Sequence, residues 1–315
     1  MEQITAGGHA RPLLSRQSLL DLQSSAGNAA VTAMLSASRA LAVQRASLLD
    51  FNAADPLHDP SRLSDAQIQS TDEFKALMAK NPMPIPMRDI DPAEARLACR
   101  LVLRTLRQTM GPYLIDDAML MRHLDDARSR EGTTATAEGA VGAQDWVAVT
   151  PNDVKNPGAA DSEFTQWMLA GGSAPNAKTG KLNCWEMVLF SAFRAGALSE
   201  AAMKGFYTRA KAQMTKTKDV MDFPRTLEKE LRGSTEQTYD PADKSSPRPL
   251  RGDLVIFKEA ASHVALATGS MVGGQVEIVS HWPPPDGKHT VKKTTIEALL
   301  PSVGVKVAKF WSPSW

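Results

Sequence analysis

The chain has 315 residues, 43% of them hydrophobic and 23% charged, with 36 Lys and Arg against 35 Asp and Glu and a formal net charge of +1. That balance fits a globular protein of one or two domains; it excludes a disordered chain and leaves no basic excess for nucleic acid. The 2 cysteines cannot make a disulfide framework in a chain this long, and no run of about 18 apolar residues is present to span a membrane.

The first residues, "MEQITAGGHARPLLSRQ", lack the basic start and continuous apolar stretch of a secretory signal, which predicts synthesis in the cytoplasm and no stable membrane insertion. From 15 to about 45, Leu19, Leu22, Ala26, Ala30, Val31, Met34, Leu35 and Leu41 recur at roughly helical spacing around the break "SAGNAA" and predict two short helices. After a Pro/Asp-rich passage, Ser64 and Gln67 form a capping-box pattern opening a helix to about 80. "NPMPIPMRDID" reads as a stiff connector. Asp91, Pro92 and Glu94 start the next helix, with an apolar face through Leu97, Leu101, Val102 and Leu106. A further helix is predicted from about 116 to 128, after which "GTTATAEGAVGAQ" and "TPNDVKNPGAAD" read as loops. Three or four helical stretches follow between 161 and about 232, ending in the Pro-rich "DPADKSSPRPLRG". The runs "GDLVIF", "SHVALATG" and "QVEIVSHW" are apolar or β-branched, separated by turn residues, and predict an antiparallel meander. Helices followed by a sheet make the predicted class α+β. Three regions result: a helical or disordered segment at 1–50, a helical region with mobile loops at 51–160, and an α+β domain at 161–315.

Chemistry concentrates in the last region. In "LNCWEMVLFSAFRAG", Asn183 signals a helix start and Gly196 a stop, so Cys184 falls in the first turn of a buried helix. Free N–H groups and the positive end of the helix dipole there are expected to stabilise a thiolate. The competing reading is an inert buried cysteine. Cys99, mid-helix in "RLACRLVL", is expected to be core packing. A nucleophilic thiol needs a base, and a base needs an orienting group. His9 and His58 lie in stretches without clear structure, and His123 on the exposed side of a helix. His263 begins one strand and His281 ends the next. A turn centred on "SMVGG" would set them directly opposite, with Cβ atoms about 4.5–5.5 Å apart, so that one imidazole could fix the tautomer of the other. Asp286 and His289, in "PPPDGKHT", are the alternative third residues, past the Pro run and outside the regular ladder.

In order, "NCWEMVLFSAF", "RGDLVIF", "SHVALATG" and "EIVSHW" resemble the NlpC-type cysteine peptidases, papain-like hydrolases whose members often cleave peptidoglycan stem peptides. The resemblance spans roughly 161–315. It implies a helix bearing the nucleophile packed on a small antiparallel sheet, with Cys184 as nucleophile, His263 as base and His281 as the orienting residue. It also implies a peptide or peptidoglycan substrate and no cofactor. The family's Asp-Cys-x-Gly is here Asn183-Cys184-Trp185-Glu186, and an insertion around 215–249 lengthens the cysteine-to-histidine separation. "LQSSAGNAAVTAML" is similar to a segment near the start of many bacterial proteins associated with extracellular contractile injection systems. That similarity implies an address in residues 1–50, recognised by an injection-system component, and export or injection by a dedicated apparatus. The function expected is cysteine-dependent amide hydrolysis by an effector. The alternatives are a transglutaminase-like or deamidase effector acting on protein glutamine, and a non-catalytic papain-like binding module. "TGSMVGG" belongs to a hairpin and so is no phosphate loop.

Overall fold

Ser64 caps a helix as its pattern predicts. Its side chain accepts from the Gln67 N–H while the Gln67 side chain accepts from the Ser64 N–H, opening α1 (Asp65–Gln69). The helix is shorter than expected because Thr71 caps a second one, α2 (Asp72–Met78). The structure, a computed structural model, describes residues 59–79, 90–109, 117–219, 221–257 and 263–315. The two helices expected between 15 and 45 lie outside the described residues, as do His9 and His58. α3 (Pro92–Thr109) begins at the predicted proline and buries Leu97, Leu101, Val102 and Leu106, with Cys99 fully enclosed at mid-helix.

α4 (Asp117–Gly139) overturns the loop expected over "GTTATAEGAVGAQ". Small residues let the helix run on, because Thr133, Thr134 and Ala137 are buried and a Cβ on Gly132 would stand 3.4 Å from the Ala195 Cβ. α4 thus packs closely on the helix that begins at Cys184. The second expected loop also folds in part: Thr150 and Asp153 make a capping box that opens α5 (Pro151–Lys155). α6 (Glu163–Ala170), α7 (Cys184–Arg194), α8 (Glu200–Thr217) and α9 (Asp222–Leu231) are the helices predicted between 161 and 232.

β1 (Asp145–Trp146) and β2 (Lys181–Leu182) form a short parallel pair. A six-stranded antiparallel sheet has the order β3 (Gln237–Tyr239), β8 (Ala308–Trp311), β4 (Leu254–Ile256), β5 (Val264–Val272), β6 (Gln275–Ser280) and β7 (Lys292–Thr295). The predicted meander is β4–β5–β6, and the class is α+β. Insertion of β8 between β3 and β4 has no sequence signal. Alternation splits the sheet into two dry faces. Leu254, Ile256, Val264, Leu266 and Val279 share a core with α7, whereas Val255, Ala265, Ala267, Ile278 and Phe310 share one with α10 (Ile296–Val303).

The β5–β6 hairpin turns at Gly273 and Gly274, both at positive φ (58° and 83°), the backbone a two-residue hairpin loop requires. An irregularity between Ala267 and Met271 then shifts the register, so that Ala265 pairs with Ser280. Continued past the strand ends, this sets His263 opposite Trp282 and Val264 opposite His281. The expected pairing of 263 with 281 is therefore corrected by one position, and one position exchanges faces.

Asp253 ties the early helices to the sheet. Its carboxylate accepts from Arg104 at 2.8 and 2.7 Å and from Arg130 at 2.9 Å, and also from the Leu250 N–H at 2.7 Å. All three charged side chains are buried. Against burial, which raises it, the two guanidiniums hold the Asp253 carboxyl below the usual range. Gly252 precedes it at φ 78°, and a Cβ there would meet the Arg130 Cβ at 2.6 Å, so the close approach requires glycine.

Candidate active site

The start of α7 is fixed by a reciprocal cap. Asn183 Oδ1 accepts from the Glu186 N–H at 3.0 Å and Glu186 Oε2 from the Asn183 N–H at 2.8 Å. The apolar run that follows buries nearly the whole helix. Cys184 is therefore the first helical residue, as predicted, and is 7% exposed. Both cysteines are free thiols.

Glu186 is fully buried on the same turn. Ser162 Oγ and Thr165 Oγ1 each donate to it at 2.7 Å, and Tyr207 OH donates at 3.4 Å. Burial raises its carboxyl pKa in spite of these donors. Sequence reasoning passed over Glu186, although Asn183-x-x-Glu186 is itself the capping-box spacing.

The Cys184 sulfur departs from expectation. Burial pushes its thiol up to about 11, against the N–H groups of Val264, Trp185 and Cys184, which favour the thiolate. Loss of hydration thus outweighs the helix start, and the resting group is a neutral thiol. The Val264 N–H belongs to the peptide that joins it to His263, so the β5 entry and the α7 start meet at this sulfur.

The two histidines lie on either side of that junction. His263 is flanked across the strands by Phe257, at 5.4 Å between ring centroids, and by Trp282, stacked at 4.8 Å. Its Nε2 lies 3.1 Å from Ser280 Oγ, and its Nδ1 is buried without a partner. Burial, with the nearby His281 and Lys292, pulls it down to about 3. His281 lies on the α7 side of the sheet, wholly buried, and neither ring nitrogen is hydrogen-bonded. Burial lowers it to about 4, although the carbonyls of His289, Asn183 and Gln144 favour its protonated form. The polar partner of His263 is thus Ser280, one residue before the expected His281, a choice that only the true register reveals.

Asp286 instead binds Lys292 Nζ, whose charge lowers its carboxyl pKa, and it accepts from the Lys288 N–H at 3.1 Å. His289 is exposed, with its ring 6.1 Å from that of Trp146 and its carbonyl accepting the Trp146 N–H at 2.6 Å. His123, expected to be exposed, is half-buried with Nε2 3.4 Å from Thr105 Oγ1.

No family model, curated protein or solved structure matches the chain. Cys184 lines a cavity of about 290 Å³ together with Trp146, Trp185, Tyr207, Phe223 and Trp282. Among the described residues no group of three or more His, Cys, Asp or Glu could hold a metal ion, and no helix is long and apolar enough to cross a membrane.

Proposed function

We propose that the chain is a cysteine-dependent amide hydrolase with Cys184 as its nucleophile. The observation that carries this reading is the placing of Sγ at a helix start, in a cavity wall and against the peptide that joins His263 to Val264. As Sγ attacks the amide carbonyl carbon, its proton passes to an imidazole, and the Cys184 N–H donates to the forming oxyanion. The C–N bond breaks as the imidazolium returns that proton to the leaving amine, and an acyl thioester remains. Water then gives a proton to the imidazole and attacks the thioester, releasing the acid and restoring the thiol. A thiol held above its usual pKa and an imidazole held below suit a step in which the proton moves only as the S–C bond forms.

His263 is the base in this reading, and Ser280 Oγ fixes its Nε2. To take the thiol proton with its unpartnered Nδ1, the ring must turn toward Sγ from the sheet face that it shares with Phe257 and Ser280. A second reading makes His281 the base, because its ring lies on the α7 side beside the Asn183 carbonyl. Purified chain should cleave peptide amides or isolated peptidoglycan and accumulate a thioester detectable by mass spectrometry. His263→Ala should lose more turnover than His281→Ala, and the reverse order would transfer the base to His281. Ammonia release without chain cleavage would make the enzyme a glutamine deamidase, and full activity of Cys184→Ala would end the proposal. The papain-like, NlpC-like arrangement and an effector role belong to the same proposal, with residues 1–50 as the address for an injection apparatus. Deleting them should leave hydrolysis intact and stop delivery.

A further inference from the structure

The cavity beside Cys184 is built by residues far apart in sequence. Trp146 ends β1, Val154 is on α5, Tyr207 and Met214 are on α8, Phe223 and Leu227 are on α9, and Cys184 at the start of α7 completes the wall. Among the described residues that line it, not one is Lys, Arg, Asp, Glu or His. Its polar side-chain groups are the Thr150 and Tyr207 hydroxyls, the Asn183 amide, the indole N–H groups of Trp146, Trp185 and Trp282, and the thiol itself. Glu186, two residues after Cys184 on α7, is turned to Ser162 and Thr165 and receives the Tyr207 hydroxyl.

From this lining we infer that the site takes amides whose residue next to the scissile carbonyl is uncharged and bulky, aromatic or long aliphatic, and that it rejects acidic ones. The inference rests on Cys184 being the nucleophile. A carboxylate entering the cavity would lose its hydration and gain no cation, a cost that neutral side chains escape. An aromatic ring offers area that Trp146, Phe223 and Trp282 can cover, and Met214 and Met221 can adjust to its shape.

The test uses the full-length chain in a Cys99→Ala background, so that only one thiol reports. Fluorogenic amides carrying Phe, Leu, Ala, Glu or Lys at the residue in question are compared by kcat/KM, and alkylation of Cys184 by N-phenyl iodoacetamide is compared with alkylation by iodoacetate. Phe and Leu should exceed Ala by roughly 100-fold, given about 10–200-fold for a single methylene in an apolar pocket. Glu should fall below Ala, and the phenyl reagent should outpace iodoacetate. Met221→Lys supplies the missing cation at a half-buried position of the lining and should raise the Glu substrate at least tenfold relative to Leu. Reactive Cys184 with Glu equal to or above Phe would overturn the substrate class while keeping the nucleophile. No alkylation and no hydrolysis of any substrate would overturn both.

Discussion

α3 and α7 each carry one thiol within an apolar run, and the two sulfurs lie at similar depth, 0% and 7% exposed. Burial comes first among the causes that raise both, to about 12 at Cys99 and about 11 at Cys184. At Cys99 the neighbouring helical N–H groups are committed to their own helix, and Glu73 adds repulsion. At Cys184 uncommitted N–H groups face the sulfur, and a cavity reaches it. A helix start therefore gives a thiol donors and access, whereas ionisation is decided by water.

The sharpest way to break this comparison is to remove each sulfur. Cys184→Ala should abolish turnover, by at least roughly 1,000-fold, with the fold retained. Cys99→Ala should keep turnover and cost about 1 kcal/mol through the void it leaves; a chemical-denaturation curve beside a rate assay separates the two. Equal activity of the two variants would erase the distinction.

Next in size is Glu186→Ala, which leaves the Ser162, Thr165 and Tyr207 hydroxyls and the Asn183 N–H without their acceptor. A loss of about 3 kcal/mol is expected, since each buried donor left unmade costs about 1–3 kcal/mol and the site can relax in part. Alkylation of Cys184 should change and that of Cys99 should not, because Glu186 lies within one turn of Cys184 on α7 whereas Cys99 is on α3.

A smaller effect separates the surroundings of the two thiols in acid. His263 and His281 are ordinary at 6.5 when unfolded and are held to about 3 and about 4 in the fold. Their contribution is fully present above pH 6.5 and is lost as pH falls through those folded values, because the unfolded chain takes up the protons first. Denaturation midpoints should therefore drop below pH 6.5, and His281→Leu should flatten the slope.

The smallest effect is on thiol alkylation. Both thiols are raised, so the stability they lend is present below their ordinary value of 9.0 and lost as pH climbs toward about 11 and about 12. Iodoacetamide rates should rise through this range, with Cys184 leading. A Cys184 profile that levels off below pH 8 would show an activated thiolate instead.

Local chemistry was the part of this protein that could be read from its residues. Ser64 with Gln67, Pro92 and Asn183 each open a helix where predicted, because caps act over three or four residues. The α4 extension was hidden because Gly132, Thr133 and Thr134 look like loop residues until a neighbouring helix needs them small. The histidine register was missed because it depends on an irregularity at 267–271 that no turn residue announces. Ser280 escaped for a related reason, and of the two roles of Glu186 the cap on Asn183 lies along the chain whereas the bonds to Ser162, Thr165 and Tyr207 come from across the core.

Asp253 has a consequence for the order in which the chain is assembled. Arg104 and Arg130 precede it by 149 and 123 residues, and Ser312 Oγ, 3.2 Å from Arg104, comes after it. On a ribosome, α3 and α4 emerge long before the Asp253 carboxylate, and Ser312 follows it. The Asp253 cluster beside β4 is complete only when α3, α4 and the segment bearing Ser312 have met around it. Closing such long loops costs entropy before any contact repays it, which places the molecule among slow, late-committing folders. A chain released early would hold Arg104 without the Asp253 carboxylate and Arg130 with Asp126 but not Asp253, a form well suited to capture by chaperones.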